Sequence, residues 1–134
     1  MTTTEKKQYL QRYIIAKRNI ALLTAQIDEL QQIQTNPTVL LDGMPKGNKV
    51  SDLSSYMAKM DMLLRELEAE REIQMIVYAE ICRKIKQMTN VVEKEILTRR
   101  YLLGQSWEKI ANEMGYSHRQ IFRLHCNALK NFCI

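Results

Sequence analysis

The sequence predicts an all-α protein: a long antiparallel helical hairpin, coiled-coil-like, followed by a small helix-turn-helix domain. Three observations predict it. Apolar residues recur at alternating spacings of four and three through most of residues 1–88. The helix breakers of that region gather near its middle, at Pro37, Gly43, Pro45 and Gly47. From Thr89 to Phe132 the chain divides into three helical patterns separated by two turn signals, Gly104-Gln105-Ser106 and Gly115-Tyr116-Ser117. Strand-like alternation of apolar and polar residues is found nowhere.

The first helix opens with a T-x-x-E capping box, Thr2 and Glu5, in which side chain and backbone satisfy each other's free groups. Its seam is Tyr9, Tyr13, Ala16, Ile20, Leu23, Ile27 and Leu30. Asn36-Pro37 ends it, because proline disfavours helical geometry in the residue before it. The loop at about 35–50 is long for a helix–helix connection; its apolar Val39, Leu40, Leu41 and Met44 imply that part of it folds back onto the helices. A second helix is expected from Ser51 or Asp52 to about Met88, with Leu53, Met57, Met60, Leu64, Leu67, Tyr78, Ile81, Ile85 and Met88 on its seam. Arg71 and Gln74 interrupt that seam, and a stripe of Ile73, Ile76 and Val77 beside it implies a rotation of the buried face. Residues 1–88 thus form the hairpin and residues 76–134 the helix-turn-helix domain, the end of the second long helix serving both.

In the C-terminal part, Asn90 and Glu93 cap a helix whose Val92, Ile96, Leu97, Tyr101 and Leu102 face inward. Ser106 caps the middle helix, Glu108 complements its dipole, and Ile110, Ala111 and Met114 form its apolar face. Gly115 suits the left-handed residue at which such a helix ends. Ser117 and Gln120 form an S-x-x-Q capping box for the last helix, which buries Ile121, Leu124, Ala128 and Phe132. Phe122, Cys126, Leu129 and Cys133 make a second apolar stripe, docking on the hairpin or on a partner subunit. Trp107 is a core anchor between the middle helix and the preceding one.

Charge narrows the function classes. The net charge is +5, of which residues 89–134 hold +3, and no acidic side chain follows Glu113. Arg119, Arg123 and Lys130 on one short helix without an acid nearby are the footprint of a phosphate-facing element or, alternatively, an ordinary solvated basic face. With 26% charged residues the chain is no membrane protein, and no apolar run approaches the roughly 20 residues of a transmembrane helix. Its polar N-terminus lacks an apolar signal core, which implies a cytoplasmic protein. Cys82, Cys126 and Cys133 fit reduced thiols rather than a disulfide framework. His118, His125, Cys126 and Cys133 lack zinc-ligand spacing, so no metal is expected. No nucleophile elbow, P-loop or enclosed carboxylate pair is present, so no enzyme and no cofactor is expected.

The run Leu97, Arg100, Tyr101, Gly104, Ser106, Ile110, Ala111, Met114, Gly115, Ser117, Ile121, Ala128 and Leu129 resembles region 4 of bacterial sigma factors, in register over about a third of the chain. Lys109 stands where that pattern usually has an acid before Ile-Ala. The whole chain resembles small Gram-positive phage and prophage regulators of late genes, of autolysin type. Those share a long helical N-terminal half, a Pro45, Gly47, Ser51, Asp52 loop, and an R-Y…G…S-W-x-x-I-A…Y-S…R-L-H…A-L ending.

These resemblances imply a sequence-specific DNA-binding transcription regulator, phage- or prophage-encoded, in the cytoplasm of a bacterial host. His118, Arg119, Gln120 and Arg123 are the implied base contacts in the major groove. Arginine can pair with guanine O6 and N7, and glutamine with adenine N6 and N7. Arg99, Arg100, Ser106, Lys109, Ser117 and Lys130 are the implied phosphate contacts; a salt bridge to a glutamate is the alternative for Arg100. Arg119 stands where housekeeping sigma factors carry an acid, so their promoter sequence does not carry over. The implied partners are double-stranded DNA, a second copy joined through the hairpin, and RNA polymerase if the domain docks there as a sigma domain does. Two rival readings remain: recognition of phage DNA for packaging, as in small terminase subunits, and a sigma mimic that binds polymerase without touching DNA.

Overall fold

The computed structural model of the chain describes residues 1–35 and 49–134. The loop at about 35–50 lies almost wholly outside the described residues, and with it the expectation that Val39, Leu40, Leu41 and Met44 fold back. The described residues form helices joined by short turns, with no strand among them. They form α1 (Thr3–Thr35), α2 (Lys49–Lys86), α3 (Val91–Leu97), α4 (Trp107–Met114) and α5 (His118–Asn131), and a π-helical turn, Thr98–Leu102, continues α3. α2 begins slightly earlier than the sequence suggested and ends at Lys86. The chain forms two compact units, Met1–Lys17 with Ile73–Ile134, and Arg18–Glu72.

The expected cap opens α1: the Thr2 N–H donates to Glu5 Oε2 at 2.9 Å and the Glu5 N–H to Thr2 Oγ1 at 3.2 Å. In the Arg18–Glu72 unit, Leu23, Ile27 and Leu30 of α1 turn inward, as do Met60, Leu63 and Leu67 of α2. Ile27 and Leu67 are buried. In the larger unit the pairing is antiparallel, with Tyr9 beside Glu80 and Tyr13 beside Tyr78, ring centroids 5.2 Å apart. The Tyr9 hydroxyl donates to Glu80 Oε1 at 2.5 Å, and Arg12 Nη2 lies 3.4 Å from Glu80 Oε2. The bond from Tyr9 holds the Glu80 carboxyl below the ordinary carboxylate range, with Arg12 adding to it. Burial, reinforced by Glu80, pushes the Tyr9 phenol up to about 12.

The seam of α1 is as expected, with Leu10 added to it as a fully buried residue. The seam of α2 is half right. Met60, Leu67, Ile81, Ile85 and Met88 turn inward as expected, but Tyr56, Leu63 and Val77 take the places of Met57, Leu64 and Tyr78, and Glu70 and Gln74 continue the seam between them. Leu53, Met57, Leu64 and Tyr78 are exposed. For Met57, Leu64 and Tyr78 the correction is one residue; Leu53 is exposed together with its neighbours Asp52 and Ser54. Where two apolar residues adjoin, as at Leu63-Leu64 and Val77-Tyr78, spacings of three and four fit the periodicity equally well. Nor does the buried face rotate: Ile73 and Ile76 stay in solvent while Val77 is buried.

In the larger unit Leu10, Val77, Ile81, Ile85 and Met88 pack against Leu97, Tyr101 and Leu102 and against Ala128, Leu129 and Phe132 of α5. A smaller cluster joins Ile96, Ile110, Ala111 and Ile121, with Trp107 and Leu124 at its edge. Together they bury one whole face of α5. Asn90 accepts from the Val92 and Glu93 N–H groups and caps α3 as expected. The Glu93 side chain, however, is buried and accepts two 3.0 Å bonds from Asn131 Nδ2, tying the start of α3 to the end of α5 instead of completing the cap.

Two isoleucines of α2 check this register. Ile81 is 0% exposed and Ile76 65%. Ile81→Ala should cost about 2–5 kcal/mol in urea unfolding, and Ile76→Ala should stay within about 0.5 kcal/mol of the parent.

Candidate functional site

The turn between α4 and α5 is fixed by local chemistry. Gly115 takes the left-handed conformation, φ 73°, and its N–H donates to the Ala111 carbonyl, closing α4. A side chain there would be strained by that φ although the surrounding space is open. Two residues on, Ser117 opens α5: its Oγ accepts from the Gln120 N–H at 3.2 Å, and Gln120 Oε1 accepts from the Ser117 N–H at 3.0 Å. The capping box thus takes up the Gln120 side-chain oxygen and leaves its amide NH2 to donate outward. Ser106 caps α4 by accepting from the Lys109 N–H at 3.2 Å.

The π-helical turn was not legible in the sequence. It closes through the Leu103 N–H to the Thr98 carbonyl, at 2.9 Å. The wider turn sets Arg99 and Arg100 around Gln105. The Gln105 N–H donates to the Arg99 carbonyl at 2.9 Å. Arg99 Nη1 donates to Gln105 Oε1 at 3.2 Å, and Arg100 Nη1 to the Gln105 carbonyl at 3.0 Å. Arg99 also pairs with Glu113, and with Glu95 at 3.7 Å. Arg100 lies over the Trp107 ring, 4.5 Å from its centroid. Both guanidinium groups are therefore engaged within the domain, Arg100 through a carbonyl and an aromatic ring rather than a glutamate. They brace the loop that leads into α4.

Trp107 meets α5 as well as Arg100. It packs edge-on against His125 with centroids 4.6 Å apart, and the Tyr101 hydroxyl and His125 Nε2 are hydrogen-bonded at 2.8 Å. His125 is buried, a position its polar identity concealed in the sequence. Burial, with the charges of Lys7 and Arg100 adding to it, pushes its imidazole down to about 4. Burial likewise pushes the Tyr101 phenol up to about 12. Among the described residues no group of three or more His, Cys, Asp or Glu side chains converges as a metal site.

With Ile121, His125, Ala128, Leu129 and Phe132 turned inward, the other side of α5 is free. Arg119, Gln120, Arg123 and Lys130 are exposed on it, and His118 is exposed at the first turn, in line with Ile121 and His125. No acidic residue lies on this helix. Lys109 is exposed on α4, 4.0 Å from Glu113. The structure thus gathers the four expected base-reading residues on the first turns of one helix, with the cap hydroxyls of Ser106 and Ser117 exposed in the same unit. Lys130 stands seven residues beyond Arg123, about 10 Å along the axis.

The apolar stripe is split. Leu129 is 4% exposed and part of the core, whereas Phe122, one heptad earlier, is 69% exposed. Cys126 is half-buried and Cys133 exposed. Phe122 therefore belongs with the free face, beside Arg119, and the sequence reading did not place it there. Chemically the face offers guanidinium and amide donors and one apolar ring, without an opposing acid. No protein family, no curated protein and no solved structure matches the chain. No described helix is long and apolar enough to cross a membrane.

The buried imidazole makes stability depend on pH. Its folded value lies below the ordinary 6.5, so the unfolded chain takes up the proton first. Stability is fully present above about pH 6.5 and falls as pH drops toward 4, by up to roughly 3 kcal/mol. Urea unfolding at pH 7, 5.5 and 4 should show that loss, and His125→Gln, which has no proton to gain, should flatten it.

Proposed function

We propose that the chain is a sequence-specific DNA-binding transcription regulator, bacterial and phage- or prophage-encoded, that inserts the start of α5 into the major groove. The observation that carries this reading is the free face of α5. Arg119 and Arg123 are one helical turn apart, exposed, and on a helix without acidic residues. That spacing suits bidentate pairing of guanine edges, and the Gln120 amide, whose oxygen serves the cap, still donates to a base acceptor. Lys109, Lys130 and the cap hydroxyls of Ser106 and Ser117 would then meet phosphates; the bonds of Arg99 and Arg100 inside the domain make them braces of that surface. The resemblance to sigma region 4 points the same way.

One such helix gives too little contact for tight specific binding. We propose that a second copy supplies the rest. On α2, Leu53, Met57 and Leu64 repeat at spacings of four and seven and are exposed. This is the pattern of a helix surface that meets another helix.

Selection of duplexes from a random pool at near-physiological salt, with excess non-specific competitor, tests the reading. A defined motif should be enriched. Arg119→Ala/Arg123→Ala should lose that motif and roughly tenfold or more in affinity for it, while residual salt-sensitive binding remains. Sequence-blind recovery by both proteins would contradict it and favour a polymerase-binding role. Sedimentation tests the second copy: the parent should be a dimer, and Met57→Glu/Leu64→Glu a monomer that recognises the same motif more weakly.

A further inference from the structure

Phe122 is the one large apolar side chain of α5 that stays in solvent. It stands one turn after Arg119 and in line with the half-buried Cys126 and buried Leu129, so the ring borders the cationic face formed by Arg119 and Arg123 on its core side. Arg119 and Phe122 border two shallow depressions. One reaches Trp107, His118 and Ile121; the other reaches Ser117, Gln120 and Arg123. The two side chains thus form the ridge between them. Leu129, on the same stripe, shows that the helix buries such a residue where a neighbour is available. Phe122 therefore contributes little apolar burial to the fold and leaves most of its ring area available for burial against a ligand.

Resting on the reading of α5 as a groove-binding helix, we infer that Phe122 is a specificity residue that packs against the 5-methyl group of a thymine. The bases present that methyl in the major groove as an apolar group, beside the hydrogen-bonding edges that arginine and glutamine read. A protein partner fits the surroundings less well. A docking patch for an apolar protein surface gathers several apolar side chains, whereas the exposed neighbours of Phe122 on α5 are His118, Arg119 and Arg123. The ring would discriminate thymine from cytosine at a position adjoining the guanine read by Arg119 or Arg123.

The test uses the full chain and the duplex enriched by the parent protein, with each thymine replaced in turn by deoxyuridine, which lacks only the methyl group. Binding is followed by fluorescence anisotropy. At one or two positions the replacement should weaken parent binding about three- to fivefold, the value of returning one methyl group to water. Phe122→Ala should bind the unmodified duplex more weakly and show no further loss at those positions, while Phe122→Leu keeps part of the sensitivity. Thermal unfolding of both variants should match the parent, because the side chain is exposed. A motif without thymine, a parent indifferent to every replacement, or undiminished sensitivity in Phe122→Ala would overturn the inference and leave the regulator reading standing. Failure to enrich any motif would overturn both. Normal DNA binding by Phe122→Ala with loss of polymerase co-purification would assign the ring to a protein partner instead.

Discussion

Burial of one face of α5 is the constraint on which the rest depends. Ile121, Ala128 and Phe132 are almost completely withdrawn from water, and His125 between them is fixed by Tyr101 and Trp107. A helix held at both ends and in the middle cannot roll, so the direction of every other side chain on it follows. Arg119, Gln120, Phe122 and Arg123 point outward because their neighbours cannot. The chemistry of the free face is thus set by the packing of the opposite one.

The surroundings of α5 serve the same end. Gly115 and the Ser117–Gln120 box fix where the helix starts, and so the placement of its first turn. The π-helical turn turns Arg99 and Arg100 inward to clasp Gln105, and Arg100 in turn supports Trp107. Positive charge is accordingly of two kinds in this unit. The arginines of the turn are paired and structural, and those of α5 are solvated and available. Net charge alone does not separate them; the position of acidic partners does, because Glu95 and Glu113 lie beside Arg99 while nothing acidic follows Glu113 in the sequence.

Much of this was legible in the sequence, and the remainder was hidden for identifiable reasons. Caps and turns could be read because serine, asparagine and glycine act locally: Thr2–Glu5, Asn90, Ser106, Gly115 and Ser117–Gln120 all behave as their neighbours in sequence dictate. The α1 seam was read in the right register although apolar residues adjoin there too, at Tyr9-Leu10, Ile14-Ile15 and Leu22-Leu23. On α2 adjacent apolar pairs made two registers equivalent, and only tertiary packing chose Leu63 over Leu64. The π-helical turn leaves no trace in a pattern built on 3.6 residues per turn. His125 reads as polar although it is buried, and Glu93 reads as a cap although its partner, Asn131, lies 38 residues away. Phe122 shares a stripe with Leu129, and sequence cannot tell where along a helix the neighbouring surface ends.

The account rests on the claim that the first turns of α5 are the surface that meets DNA. Backbone amide chemical shifts of the labelled protein, followed as the selected duplex is added, test it most directly. The account predicts that the largest changes fall on residues 117–124, with smaller ones around Ser106–Lys109 and little change on the exposed faces of α1 and of residues 52–72. Changes confined to the long helices, with α5 undisturbed, would contradict it.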